Sequence, residues 1–140
     1  MHEVAASTKN ALVLTEGVIP YLSEEQVANL ANELHRESSL NFWITELFSR
    51  EAYRSLRGRA RTKVMKNAPF RFYPDDWMGF FAARGWVAKQ IRYTGEEGAK
   101  HGRHLPAPWW MRLLGLLRGP AARAKSQRMS GYVLFQKSGG

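Results

Sequence analysis

Two glutamates, Glu16 and Glu46, stand at or near the end of apolar runs that are typical of strands. The runs are residues 11–15, ALVLT, and residues 40–47, LNFWITEL. In open α/β sheets, ligands bind just outside the carboxyl ends of the strands, so both carboxylates are candidates for a binding site. Carboxylates can accept charge-assisted hydrogen bonds from a cationic group such as an ammonium. The alternative for each is an ordinary solvated glutamate, which the residues alone favour.

The segment between the two runs carries the signals of a helix. Pro20 favours a turn, and Ser23 with Gln26 predicts a capping box for a helix that ends between residues 36 and 39. Apolar residues recur at helical spacing between residues 27 and 34, which predicts one apolar face. Strand, helix and strand predict a βαβ unit with two parallel strands. The continuous apolar character of residues 11–15 indicates a strand covered on both faces.

The rest of the sequence predicts two more strands separated by helices and loops. Residues 86–93 and 131–137 are expected to form a long antiparallel hairpin. We expect an extended stretch at 70–74, then a helix that starts at Asp75 and Asp76 and that Gly85 ends in the left-handed conformation. Residues 95–104 are expected to be a polar loop. The apolar segment 106–117 would belong to an insert at about 95–130, and residues 49–66 are helical in pattern.

The chain is strongly basic, with a formal net charge of +9. Seven basic residues and one acid lie between residues 50 and 66, and four basic residues and no acid lie between residues 118 and 128. Such segments can bind nucleic acid or another anionic partner, but aromatic residues that would stack on bases are sparse among them. A solvated surface is therefore favoured, and a non-catalytic nucleic-acid-binding module is kept as the alternative function.

Other classes of site lack their sequence signals. The chain has no cysteine, which excludes disulfides and thiolate chemistry and suits a cytoplasmic protein. The histidines show no metal-ligand spacing with acids, so no metal site is expected, and nothing resembles a nucleophile–base triad. No apolar run approaches the length of a membrane span, and the first residues lack the apolar core of a signal peptide, so no membrane association is expected.

Four segments together resemble one enzyme family. TEGVIPYLSEEQV, NFWITEL, PFRFYPDDWMGFFAARGW and YVLFQK are similar to segments of the leucine carboxyl methyltransferase-like family of class I S-adenosylmethionine-dependent methyltransferases. The resemblance covers nearly all of the chain. It implies an α/β fold with flanking helices. The sheet would be the C-terminal half of a Rossmann-like sheet, with strands four to seven, and residues 1–140 would form one partial domain. The resemblance places residues 131–137 as an antiparallel seventh strand between strands five and six.

The resemblance also implies S-adenosylmethionine as the cofactor and a small molecule as the methyl acceptor. In family members of the named type, the atom that is methylated is a carboxylate oxygen. Glu16 matches a family carboxylate that contacts the methionine end of the cofactor. Gly17 would allow close approach of the backbone or serve only the turn, and Tyr21 would line the pocket or belong to the core. Trp109 and Trp110 would cap a substrate pocket or pack the insert onto the sheet. No catalytic residue is assigned.

The chain departs from the family at the cofactor loop. No G-x-G pattern occurs in it, and the family's acidic residue at the end of strand two has no counterpart. We therefore expect a fragment or a truncated reading frame that binds the cofactor weakly at best on its own. Strand four of the family pairs with strand one, so residues 11–15 are expected to form an exposed apolar edge through which the chain associates with itself.

Overall fold

The computed structural model describes residues 10–54, 69–102 and 119–139 of the chain. Within these ranges four strands form one sheet, and helices flank it. The strands are β1 (Ala11–Thr15), β2 (Leu40–Phe48), β3 (Trp86–Tyr93) and β4 (Ser130–Lys137). The helices are α1 (Glu24–Arg36), α2 (Trp77–Ala82), α3 (Thr94–Lys100) and α4 (Pro120–Gln127), with a 3-10 turn at Ile19–Tyr21 and helical residues at 50–54. The chain is thus an α/β protein.

The sheet is mixed and has the strand order β1-β2-β4-β3. β1 and β2 are parallel, which confirms the predicted βαβ unit. β4 lies between β2 and β3 and is antiparallel to both, and its pairing with β3 confirms the predicted hairpin. Because β2 and β3 point the same way, β1, β2 and β3 all end at one edge of the sheet. That edge holds the residues of the candidate site.

Helix α1 packs against one face of the sheet, as its sequence predicts. Ser23 caps it and forms the full capping box with Gln26, and Glu24 and Glu25 complement the helix dipole in the first turn. Its apolar stripe is buried against the sheet, and the helix ends at Arg36. The stripe consists of Val27, Ala31 and Leu34.

The core between the helices and this face is built from aromatic rings. Trp43 of β2 lies edge-on to Trp86 of β3, with ring centroids 5.5 Å apart, and to Phe81 of α2 at 5.2 Å. Both indoles are fully buried and satisfied, because Trp43 donates to the Thr15 hydroxyl and Trp86 donates to the Ala31 carbonyl. These two bonds tie β1 and α1 to the centre of the sheet.

The expectation that β1 is covered on both faces was wrong. The side chains of Leu12 and Leu14 are 53% and 58% exposed, whereas Val13 packs on the core. The reason is that α1 and α2 both contribute to the core on one face, and no described segment packs over β1 on the other. β1 is also an edge strand, as the sequence analysis expected of residues 11–15.

A second expectation also fails, since residues 94–100 form helix α3 where a polar loop was predicted. Two ion pairs stabilise this helix, from Glu97 to Lys100 and from Glu96 to Arg128. Gly95 lies very close to the backbone of Gln127. A Cβ atom added at Gly95 would be only 2.6 Å from the Cα atom of Gln127. Packing against α4 therefore outweighs the low helix propensity of the glycines.

Candidate functional site

Glu16 and Glu46 meet at the carboxyl ends of β1 and β2. The parallel register pairs Thr15 with Thr45, so the two glutamates follow the same rung of the sheet. Their environments differ strongly, because Glu16 is exposed whereas Glu46 is only 7% exposed. One carboxylate is therefore available to a ligand, and the other is part of the protein interior.

Glu46 holds the loop that follows β1. Its carboxylate accepts hydrogen bonds from the backbone N–H groups of Gly17 (2.6 Å) and Val18 (3.1 Å). Gly17 has a φ of +67°, a left-handed conformation that glycine adopts without strain. Burial raises the pKa of Glu46, the two amide bonds oppose this rise, and the nearby charge of Glu16 adds to it. The sequence alone favours a solvated Glu46. In the structure Glu46 is instead buried, and its carboxylate fixes the β1–α1 loop through the two amide hydrogen bonds.

Glu16 is positioned by a residue from the far end of the chain. The Tyr132 hydroxyl donates a hydrogen bond to its Oε1 atom at 2.9 Å, which also raises the pKa of Tyr132. Tyr132 lies on β4 directly opposite Glu46 in the antiparallel register. Among the described residues no second partner of Glu16 is found, so its other oxygen can accept a hydrogen bond from a cationic ligand.

Gly17 and Tyr21 lie in the same loop and leave room beside it. A Cβ atom at Gly17 would have no atom within 4 Å, so the backbone there faces open space. Tyr21 is 36% exposed, and its ring lies 5.1 Å from that of Phe70. The Pro20 carbonyl accepts from the backbone N–H groups of Arg71 and Phe72, which fixes the loop against the segment before α2. Tyr21 is thus partly exposed beside Phe70 and is not a core residue.

A cleft of about 500 Å³ adjoins this edge of the sheet. It lies where β2 and β3 end and where β4 begins, so it shares the edge at which Glu16 and Glu46 stand. Aromatic rings and arginines dominate its walls. The lining includes Phe48, Tyr53, Tyr73, Trp77 and Tyr93 together with Arg50, Arg54 and Arg128.

Most of the basic side chains described in the two basic segments are neutralised locally. Arg50 pairs with Asp75, Lys125 with Glu51, and Arg128 with Glu96. Lys125 thereby lowers the pKa of Glu51. These pairs join the helical residues 50–54 and α4 to their neighbours.

Sequence reasoning located Glu16, Gly17 and Tyr21 at one place but missed Tyr132. Only the register of β4 against β2 brings that hydroxyl to Glu16, and no local motif marks it. Trp109 and Trp110 lie outside the described residues. Residues 55–66, which make up most of the first basic segment, also lie outside them.

The described ranges contain no group of three or more metal-ligating side chains. No family model matches the chain, and no curated protein matches it. None of the helices in the described ranges is long and apolar enough to cross a membrane.

Proposed function

We propose that this chain is part of a class I S-adenosylmethionine-dependent methyltransferase, of the leucine carboxyl methyltransferase-like type, that acts on a small-molecule acceptor. One observation carries the proposal: an exposed carboxylate, Glu16, stands at the carboxyl end of a parallel strand and keeps one oxygen free for a cation. The cofactor presents such a cation, the ammonium group of its methionine part.

The sheet supports this proposal through its strand order. The sequence resemblance requires an antiparallel strand inserted between two strands that run parallel to each other. β4 has this position between β2 and β3. Ligands of such sheets bind at the carboxyl edge, where the loop after β1 also lies.

The residues present fit the methionine end of the cofactor. Glu16 would accept from the ammonium group, and Tyr132 would hold that carboxylate in place. Gly17 leaves space beside the backbone for a ligand, and Glu46 fixes the loop by accepting hydrogen bonds from the backbone N–H groups of Gly17 and Val18. The chain contains no G-x-G motif, so groups that would hold the adenosine part are not identified in it.

When bound, the cofactor would supply an electrophilic methyl carbon. An acceptor oxygen would form a bond to this carbon in line with the breaking carbon–sulfur bond, and S-adenosylhomocysteine would leave. Such a displacement depends mainly on orientation, and a carboxylate acceptor needs no general base. The chain's own residues would therefore bind and orient and would not transfer protons. This agrees with the absence of a triad-like arrangement from the sequence.

Titration of the chain with S-adenosylhomocysteine, followed by amide NMR, tests the proposal. We expect weak binding, with a dissociation constant on the order of 1 mM, and shifts at Gly17 and Val18. Glu16→Gln should abolish these shifts, whereas Glu33→Gln on the exposed side of α1 should preserve them. Methylthioadenosine lacks the amino acid part and should not shift these two amides. Shifts that persist in Glu16→Gln would disprove the assignment.

A further inference from the structure

The cleft beside the candidate site has walls of a distinct chemistry. Its volume of about 500 Å³ lies within the range of small-molecule sites. Phe48 and Tyr53 lie on one side with ring centroids 5.7 Å apart, and Tyr73 meets Tyr53 edge-on at 4.5 Å. The rings contact each other at these distances, so a further aromatic ring would pack against their exposed faces or edges in the cleft.

Positive charge prevails in the lining. Three arginines line the cleft against a single acid, Asp75, and that acid pairs with Arg50. Arg128 pairs with Glu96 outside the lining and lies over the Tyr93 ring at 5.5 Å. Among the described residues no acid lies within ion-pair distance of Arg54, although Arg54 adds to the effect of Lys125 in lowering the pKa of Glu51. Because Glu51 is already paired with Lys125, the exposed guanidinium of Arg54 can bind an anion from solution.

Trp77 contributes a further aromatic side chain to the cleft lining. Burial raises the pKa of the neighbouring Tyr53 hydroxyl, and a hydrogen bond with the Trp77 indole opposes this rise. The indole N–H is itself buried, so Trp77 offers a ligand the surface of its ring.

We propose that this cleft binds a small aromatic anion, with the ring against Phe48, Tyr53 and Tyr73 and the anionic group at Arg54. The cleft opens at the carboxyl edge of β2 and β3, the same edge as Glu16. The bound molecule would therefore be the methyl acceptor, and this last step alone rests on the proposed function.

Binding of naphthoate to the chain without cofactor, followed by amide NMR, tests the proposal. We expect shifts around Tyr73 and Tyr93 and roughly fivefold weaker binding in Arg54→Gln, because one exposed charge pair is lost. Arg36→Gln makes the same change at the other end of the sheet and should leave the affinity unaltered. Naphthamide has the same rings without the charge, and its weaker affinity should not differ between the wild type and Arg54→Gln.

Three results would overturn the proposal. They are an absence of shifts at the cleft, equal naphthoate affinity in Arg54→Gln, and equal affinity for the saturated decahydronaphthalene carboxylate, which lacks aromatic rings. Because no cofactor is present, these results are independent of the S-adenosylhomocysteine titration. Naphthoate binding, combined with S-adenosylhomocysteine shifts at Gly17 that persist in Glu16→Gln, would refute the cofactor assignment and leave the aromatic-anion site intact.

Discussion

The two glutamates at the carboxyl edge show how environment separates identical side chains. Glu46 loses water on burial, which favours its neutral form, and gains two backbone donors, which favour its charged form. Burial is the larger effect, so its pKa is raised. Glu16 keeps its contact with water, and Tyr132 is the partner that holds it among the described residues. One residue thus shapes the loop, and the other is free to bind.

The raised pKa of Glu46 predicts a pH dependence of stability. In the window from the usual glutamate pKa of 4.5 up to the raised value, the folded state holds more protons than the unfolded state. This group's contribution to the free energy of unfolding therefore falls as pH rises through that window. Urea denaturation at several pH values measures this dependence. The free energy of unfolding should fall less steeply with rising pH in Glu46→Gln than in the wild type. An identical pH profile in Glu46→Gln would contradict the prediction, and Glu33→Gln is the control.

The bond from Tyr132 to Glu16 predicts a variant that separates binding from stability. Tyr132→Phe removes the hydroxyl only, and the pair is exposed, so the free energy of unfolding should drop by less than about 1 kcal/mol. The shifts of Gly17 and Val18 with S-adenosylhomocysteine should weaken, because Glu16 is no longer held. Tyr93→Phe, at the end of β3, is the matched control for loss of a phenol hydroxyl. Unchanged shifts in Tyr132→Phe would show that the tyrosine does not position Glu16.

These residues also mark the limit of inference from the sequence. Glu16 was placed correctly at a strand end, because that position follows from the apolar run before it. The amide partners of Glu46 are 28 and 29 residues away, and Tyr132 is 116 residues from Glu16. Such contacts depend on register and on the turn after β1, which no local pattern encodes.

At the scale of elements, the sequence predicted correctly those helix ends that contacts between neighbouring residues determine. The capping box and apolar stripe of α1 predicted both of its ends, and Asp76 caps α2 through the backbone N–H of Gly79. Helix α3 was missed because its glycines oppose helix formation, and only its packing against α4 and its ion pair with Arg128 overcome them. Tertiary contacts decide the structure of weakly helical segments.

The turn between α2 and β3 predicts a costly substitution at Gly85. This residue has a φ of +80°, and a Cβ atom there would collide with the ring of His35 on α1. Gly85→Ala should therefore lower the free energy of unfolding by about 2 kcal/mol or more. In a His35→Ala background the collision is absent, and the same change should cost only about 1 kcal/mol. Equal costs in both backgrounds, measured by urea denaturation, would rule out the steric part of this account.

At the scale of the whole molecule, the two edges of the sheet are unequally protected. β3 carries Lys89 and Arg92 and an irregular register between Ala88 and Gln90, features that discourage pairing with another sheet. β1 has no charged residue, pairs only with β2 in the described structure and exposes two leucines. Exposed apolar edges of this kind favour association between chains.

We therefore expect the isolated chain to self-associate through β1 in a concentration-dependent way. Leu14→Lys places a charge on the exposed side of β1 and should shift the population towards monomer in sedimentation velocity. Val87→Lys adds the same charge at the β3 edge, where the exposed valine lies, and should leave association unchanged. A wild-type chain that stays monomeric at high concentration would refute self-association. An equal effect of the two substitutions would instead indicate that added net charge, and not the β1 edge, controls it.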